Sequence, residues 1–159
     1  MKKSNVQPLP SVRVATATDL EDLLRLGREL HAENGIMPLD EDLMLEGAMD
    51  AIAGKGSVIA VIGPPGQVEA AIHLAFNRFW YTRNDHLAEL WAYVRPAHRK
   101  SRNALALIEF AKNMATKLGL PLLIGVVSNE RTAAKVKMYR RRLGEPSGVY
   151  FLYNGKTGD

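Results

Sequence analysis

Residues 121–127 read Pro-Leu-Leu-Ile-Gly-Val-Val, with no polar side chain among them. A strand with one wet face alternates apolar and polar residues. An unbroken apolar run is expected of a strand covered on both faces, the usual state of a parallel strand. Helical patterns lie on both sides of it. Before it, Ala104, Leu107, Ile108, Ala111, Ala115 and Leu118 mark one helix face closed by Gly119; after it, residues 129–143 read as a helix stopped by Gly144. Residues 86–94 ahead of the first helix and 149–153 behind the second read as further strands. The second half is therefore strand, helix, strand, helix, strand. The strands at 86–94 and 122–127 should be parallel neighbours joined by a right-handed crossover.

The first half has a different rhythm. Residues 12–15 are β-prone. Thr18 and Glu21 have the spacing of a capping box ahead of a helix marked by Leu20, Leu23, Leu24, Gly27, Leu30 and His31, which Asn34-Gly35 closes. A second helix is expected over 40–53, ended by Gly54 and Gly56. Then come strands at 57–62 and 68–81, the latter long enough to need a bend or bulge. The turn signal Gly63-Pro64-Pro65-Gly66 separates them. With 86–94 these form an antiparallel meander. The expected fold class is mixed α+β: a mostly antiparallel sheet of six to seven strands flanked by about four helices. A length of 159 residues, 47% hydrophobic and 24% charged, suits one domain. We place it at 11–154, with tails at 1–10 and 155–159. The opening residues have a basic start but no apolar stretch behind it, so they read as a loose tail and the chain as cytoplasmic. No apolar run approaches the ~18 residues of a membrane span. The absence of cysteine excludes disulfides, thiolate metal sites and a Cys nucleophile.

Arg95-Pro96 stops the strand at 86–94, and a basic loop leads into the next helix. A helix N-terminus presents unpaired N–H groups and partial positive charge, which favours phosphate. Arg99, Lys100, Ser101, Arg102 and Asn103 crowd that point. The bland alternative is a solvated basic loop with Ser101 or Asn103 as a simple cap. Phosphate-loop, dinucleotide and zinc-deaminase signatures are missing.

Residues 90–108, Leu-Trp-Ala-Tyr-Val-Arg-Pro-Ala-His-Arg-Lys-Ser-Arg-Asn-Ala-Leu-Ala-Leu-Ile, resemble the acetyl-CoA-binding motif of the GNAT superfamily of N-acyltransferases. That motif is a strand ending in Val-x-Pro, then [Q/R]-x-x-G-x-[G/A], then an apolar helix. Arg99 fits its first position and Ala104 its last. Ser128-Asn129-Glu130-Arg131 and Met138-Tyr139-Arg140-Arg141-Arg142-Leu143-Gly144 resemble the family's following helix. The likeness is specific from Leu90 to Gly144. Two positions depart from it: Arg102 replaces the middle glycine, and Glu145-Pro146 stands where the family usually has an aromatic residue.

The resemblance implies acetyl transfer from acetyl-CoA to an amine by direct attack, with no metal. It assigns cofactor contacts to Tyr93, Val94, Arg99, Lys100, Ser101, Arg102, Asn103, Ala104 and Asn129. It makes Tyr139 the general acid, since a phenol near pKa ~10 is protonated at neutral pH; the alternative is core packing with Val136 and Leu143. Glu89, a carboxylate among Leu87, Leu90 and Trp91, is the candidate base, because apolar surroundings raise its pKa; the alternative is an outward-facing strand residue. His73 and His86 are weaker candidates. Trp80, Tyr81, Trp91 and Tyr93 could wall an acceptor site or simply be core. Asp40, Glu41 and Asp42 could attract a cationic amine or only complement a helix dipole. Two other readings remain at this point: an acyl-CoA-binding protein without catalysis, suggested by Arg102, and a nucleic-acid-binding module using the basic clusters at 98–102 and 135–142. A homodimer is left open, and the acceptor is not legible.

Overall fold

The computed structural model describes residues 6–128 and 131–153. Its elements are β1 (Arg13–Val14), α1 (Leu20–Asn34), α2 (Glu41–Ile52), β2 (Ser57–Ile62), β3 (Ala70–Asn77), β4 (His86–Val94), α3 (Asn103–Leu118), β5 (Leu122–Leu123) and α4 (Thr132–Leu143). The strands form one sheet in the order β1-β2-β3-β4-β5. The first three pairings are antiparallel, and β4–β5 is parallel. Among the described residues no helix is long and apolar enough to cross a membrane.

The sheet is covered on both faces because its strands alternate two apolar sets. Ile59 and Val61 of β2 pack with Leu23 and Leu26 of α1 and Ala48 and Ala51 of α2. Ala60 and Ile62 pack with Ala106, Leu107, Ala111 and Ala115 of α3. This period of two divides the core into two layers. Gly27 lets α1 and α2 sit close, since a Cβ there would lie 2.4 Å from Met44 Sδ.

A bulge interrupts that alternation in β4. His73 faces Trp91 and Leu74 faces Glu89, so Leu90 has no opposite residue and is 54% exposed. The extra residue resets the phase. Leu87, Ala92 and Val94 all belong to the α3 side, while Trp91 and Tyr93 pack on the α1–α2 side.

Several expectations need correction. The sheet has five strands among the described residues, not six or seven. Residues 149–153 form no strand: Val149 to Tyr153 are 67–92% exposed, and without a neighbouring strand their backbone groups turn to water. The run at 121–127 pairs only at Leu122 and Leu123 and alternates between exposed and half-buried, because it lies at the sheet edge with one face open. The segment expected at 68–81 is a strand only over Ala70–Asn77. The capping box lies two residues earlier than the Thr18/Glu21 spacing implies, at Thr16 and Asp19, and α1 itself begins at Leu20. A short 3₁₀ turn, Ala17–Asp19, precedes it, and Asp19 Oδ2 accepts the Thr16 N–H at 2.9 Å.

Candidate active site

The site begins where β4 and β5 part. Their pairing is confined to Leu87–Leu122 and Ala88–Leu123, so from Glu89 onward the β4 edge is open on that side. β4 ends at Arg95-Pro96, where a single 3₁₀ turn, Pro96–His98, redirects the chain toward α3. The Arg95 side chain anchors this corner. It reaches Asp22 at 3.0 and 3.1 Å, Glu29 at 3.1 Å and the Val68 carbonyl at 2.7 Å. Burial would push the Asp22 carboxyl up, but the bonds from Arg95 and the Val68 amide prevail and hold it below its usual value.

The start of α3 is an exposed polar rim over a buried base. Asn103 is buried, its amide facing Glu69 Oε2 at 3.4 Å, and its N–H is capped by Ser101 Oγ at 3.1 Å. The first i→i−4 bond of the helix runs from Ala106 N–H to the Arg102 carbonyl, so the N–H groups of Ala104 and Leu105 precede the helical ladder. Lys100 is exposed. Arg102 has an ordinary negative φ of −93° and turns its guanidinium out to the Gln7 carbonyl. It therefore leaves the loop backbone uncovered where the resemblance had a glycine.

Arg99 does not point along this rim. Its Nε donates to the Val94 carbonyl at 3.0 Å, its terminal nitrogen to Glu33 Oε2 at 2.6 Å, and its guanidinium lies 5.4 Å from the centroid of the Tyr93 ring. Tyr93 Oη donates to the same Glu33 oxygen at 3.0 Å. Burial and the neighbouring Glu33 push the Tyr93 hydroxyl up to about 12. Glu33, at the end of α1, was missed in the sequence, where nothing distinguishes it from other helix-surface glutamates.

Glu89 and Tyr139, far apart in sequence, come within each other's electrostatic reach. Burial raises the Glu89 carboxyl to about 7, against the opposing pull of Lys135 and a hydrogen bond from the Gly125 backbone amide. Its Oε2 is buried with no partner among the described residues. Burial, then the Glu89 charge, push Tyr139 well above the usual phenol range. Lys135 lies one helical turn before Tyr139, half-buried, and burial lowers its pKa. In the sequence Lys135 is one residue of a basic cluster, and its i−4 spacing from Tyr139 is the signal that sets it apart.

The remaining candidates separate. Trp80 and Tyr81 sit on the β3–β4 connection, 96% and 68% exposed, while Trp91 and Tyr93 pack inward against the α1–α2 layer, so the four do not form one wall. His73 and His86 are buried; His86 stacks on Phe79 at 4.4 Å. Asp40 caps the Leu43 N–H at 2.9 Å, and Glu41 is held by Arg28 at 2.7 and 3.1 Å, leaving Asp42 exposed. Asn129 lies outside the described residues. Among the described residues no group of three or more His, Asp or Glu side chains could hold a metal.

An antiparallel meander, a bulged fourth strand, a helical crossover and a parallel strand that splays from its neighbour together make a fold of the kind the resemblance implied. Solved structures bear this out. The aminoglycoside N-acetyltransferase AAC(6')-Iy, in complex with a CoA-linked bisubstrate analogue, matches with a TM-score of 0.70 and 16% identity over 91% of this chain and 96% of that one. A predicted acetyltransferase from Clostridium acetobutylicum, solved with acetyl-CoA, matches at 0.70 and 18% identity over 91% and 95%. An integron cassette protein from a salt-marsh metagenome matches at 0.68 and 24% identity over 93% and 91%. At these identities the likeness is one of fold. No protein-family profile and no curated protein matches the chain.

Proposed function

We propose that this chain transfers an acetyl group from acetyl-CoA to an amine, with residues 11–154 as a single acyltransferase unit working in the cytoplasm. The observation that carries the reading is the meeting of Glu89 and Tyr139 beside the open edge of β4, one group near neutrality and the other held protonated. The resemblance of residues 90–108 and 128–144 and the fold shared with solved acetyltransferases supply the chemistry.

The residues present suit a CoA molecule. The amides at the start of α3, with Lys100 exposed beside them, offer the pyrophosphate charge and donors, and Arg102 faces away from them. The open edge near Tyr93 and Val94 offers backbone groups to the pantetheine arm, together with Asn129 by the resemblance. Acetyl-CoA would bring the activated thioester. Glu89 takes a proton from the amine nitrogen as the C–N bond forms. Tyr139 gives a proton to the sulfur as the C–S bond breaks, and solvent restores both groups. The two steps assist each other. Once Glu89 is neutral, one of the two causes raising the Tyr139 pKa is gone, and the phenol becomes the stronger acid when the thiolate departs.

The test is thiol release from acetyl-CoA with a panel of amines. Tyr139→Phe keeps the ring and removes the proton, so turnover should fall ~10²–10⁴-fold while CoA affinity holds. CoA binding without turnover for any amine would favour the non-catalytic reading, and binding of nucleic acid that falls steeply with salt would favour the third. Normal turnover by Tyr139→Phe would return that residue to packing.

A further inference from the structure

One cavity lies away from the open edge of β4. It has a volume of about 460 Å³ and sits between the sheet and the C-terminal half of α3, lined by Val58, Leu74, Phe76, Leu87, Phe110 and Met114 among others. Leu74 and Leu87 form its floor from the buried core. The N-terminus of α3, where the proposed phosphate site lies, is ~20 Å from Lys117 at 1.5 Å per residue. The cavity is thus a separate place, in the size range of small-ligand pockets, ~300–1,000 Å³.

Its polar groups are few and of one sign. Asn113 and Lys117 stand one helical turn apart on α3, both exposed, beside Leu118. Lys117 makes no ion pair among the described residues, and no acidic side chain among them lines the cavity. The chain's own apolar end does not fill it, since Val149 to Tyr153 are 67–92% exposed. An apolar chamber with an unpaired cation at its mouth matches an apolar tail with an anionic head. A neutral hydrocarbon would leave Lys117 unused, an amine would be repelled, and the volume suits one alkyl chain better than a two-tailed lipid.

We propose that this cavity binds a medium-chain carboxylate, with the alkyl chain between α3 and the sheet and the carboxylate held by Lys117 and Asn113. The site is independent of the acetyl-transfer reading, and its test uses neither CoA nor turnover. Titration calorimetry of the full chain would compare decanoate with decanol, decylamine and hexanoate, and amide NMR shifts would locate the binding. Decanoate should bind tightest. Affinity should rise about three- to four-fold per added methylene, as burial of each one favours. Lys117→Gln should weaken decanoate about three- to ten-fold and leave decanol unchanged, the range for one exposed charged contact. Lys117→Glu, at an exposed position that spares the fold, should reverse the order so that decylamine binds better than decanoate. Three results would each overturn the proposal: equal binding of decanoate and decanol, shifts clustered at 149–153 instead of at Met114 and Leu74, or no decanoate binding.

Discussion

Replacing Glu89 by Gln should stabilise the protein while disabling it, and the stabilisation should depend on pH in a defined way. Burial holds the folded carboxyl near 7 against 4.5 for the ordinary group. Below about pH 4.5 the carboxyl is protonated in both folded and unfolded chains, and the buried group costs nothing beyond its neutral form. As pH rises from 4.5 to 7 the unfolded chain ionises first, so wild-type stability falls; above 7 the full cost is present. A shift of that size corresponds to ~3 kcal/mol at ~1.4 kcal/mol per unit. The pull of Lys135 and the Gly125 bond are already contained in that shift. Gln keeps an acceptor for the Gly125 amide but places an NH2 where the carboxyl had an oxygen, so the net gain at pH 8 should be ~1–2 kcal/mol. That is ~2–8 °C in Tm for a chain of this size. Urea unfolding of both proteins at pH 4.5, 6 and 8 measures the difference, with acetyl transfer assayed on the same samples. Turnover should fall ~10²-fold or more at pH 8, and the acidic limb of the wild-type profile near pH 7 should vanish. A stability difference that is independent of pH, or a variant less stable at pH 8 than at 4.5 relative to wild type, would refute the burial argument and with it the case for Glu89 as the base.

Two further perturbations separate scaffold from site. Asp22→Asn leaves Arg95 without its buried partner and should cost ~3 kcal/mol in urea unfolding at pH 7. Because the Asp22 pKa is depressed, its contribution exists above the ordinary value of 3.8 and disappears as pH falls through the lower folded value, so the two proteins should converge in acid. Lys100→Ala, at an exposed side chain, should leave stability unchanged and weaken CoA binding by ~1–3 kcal/mol in calorimetry, whereas Arg99→Ala, which removes the guanidinium bonds to Glu33 and to the Val94 carbonyl, should lower stability as well.

The fold was legible where a pattern was local and strong. The strands at 57–62 and 86–94 and the crossover helix at 103–118 follow from β-branched runs, a Pro stop and a clean apolar face. The edge was not legible. An apolar run such as 121–127 looks the same whether it is covered on both faces or lies at a splayed margin, and burial there depends on partners the run does not encode. The site was legible in its types more than in its connections. Glu89 and Tyr139 stood out as a carboxylate in an apolar strand and a phenol before Leu-Gly. The diversion of Arg99 to Glu33 could not be read, because it joins residues 66 apart through packing of α1 on β4. The same holds for Asp19, whose carboxylate ties Arg13, Thr16 and Gly66 together and looks in sequence like an ordinary first-turn acid.

The bulge at Leu90 links the fold to the chemistry, and its deletion tests the link. Leu87 below the bulge and Ala92 and Val94 above it share the α3 face only because one residue is set aside between them. Deleting Leu90 joins Glu89 to Trp91, and these two already oppose the consecutive residues Leu74 and His73. The shortened strand therefore alternates regularly, and Leu87, Trp91, Ala92, Tyr93 and Val94 all keep their faces. What the deletion removes is the local bend and extra twist that a bulge gives its strand. The deletion variant should therefore stay folded, losing ~1–3 kcal/mol in urea, while Leu90→Ala, at a half-exposed side chain, should cost under ~1 kcal/mol. Acetyl transfer by the deletion variant should fall far more than its stability, because the bend lies next to Glu89 on the open edge of β4. A deletion variant with normal turnover would show that the position of Glu89 does not depend on the bulge.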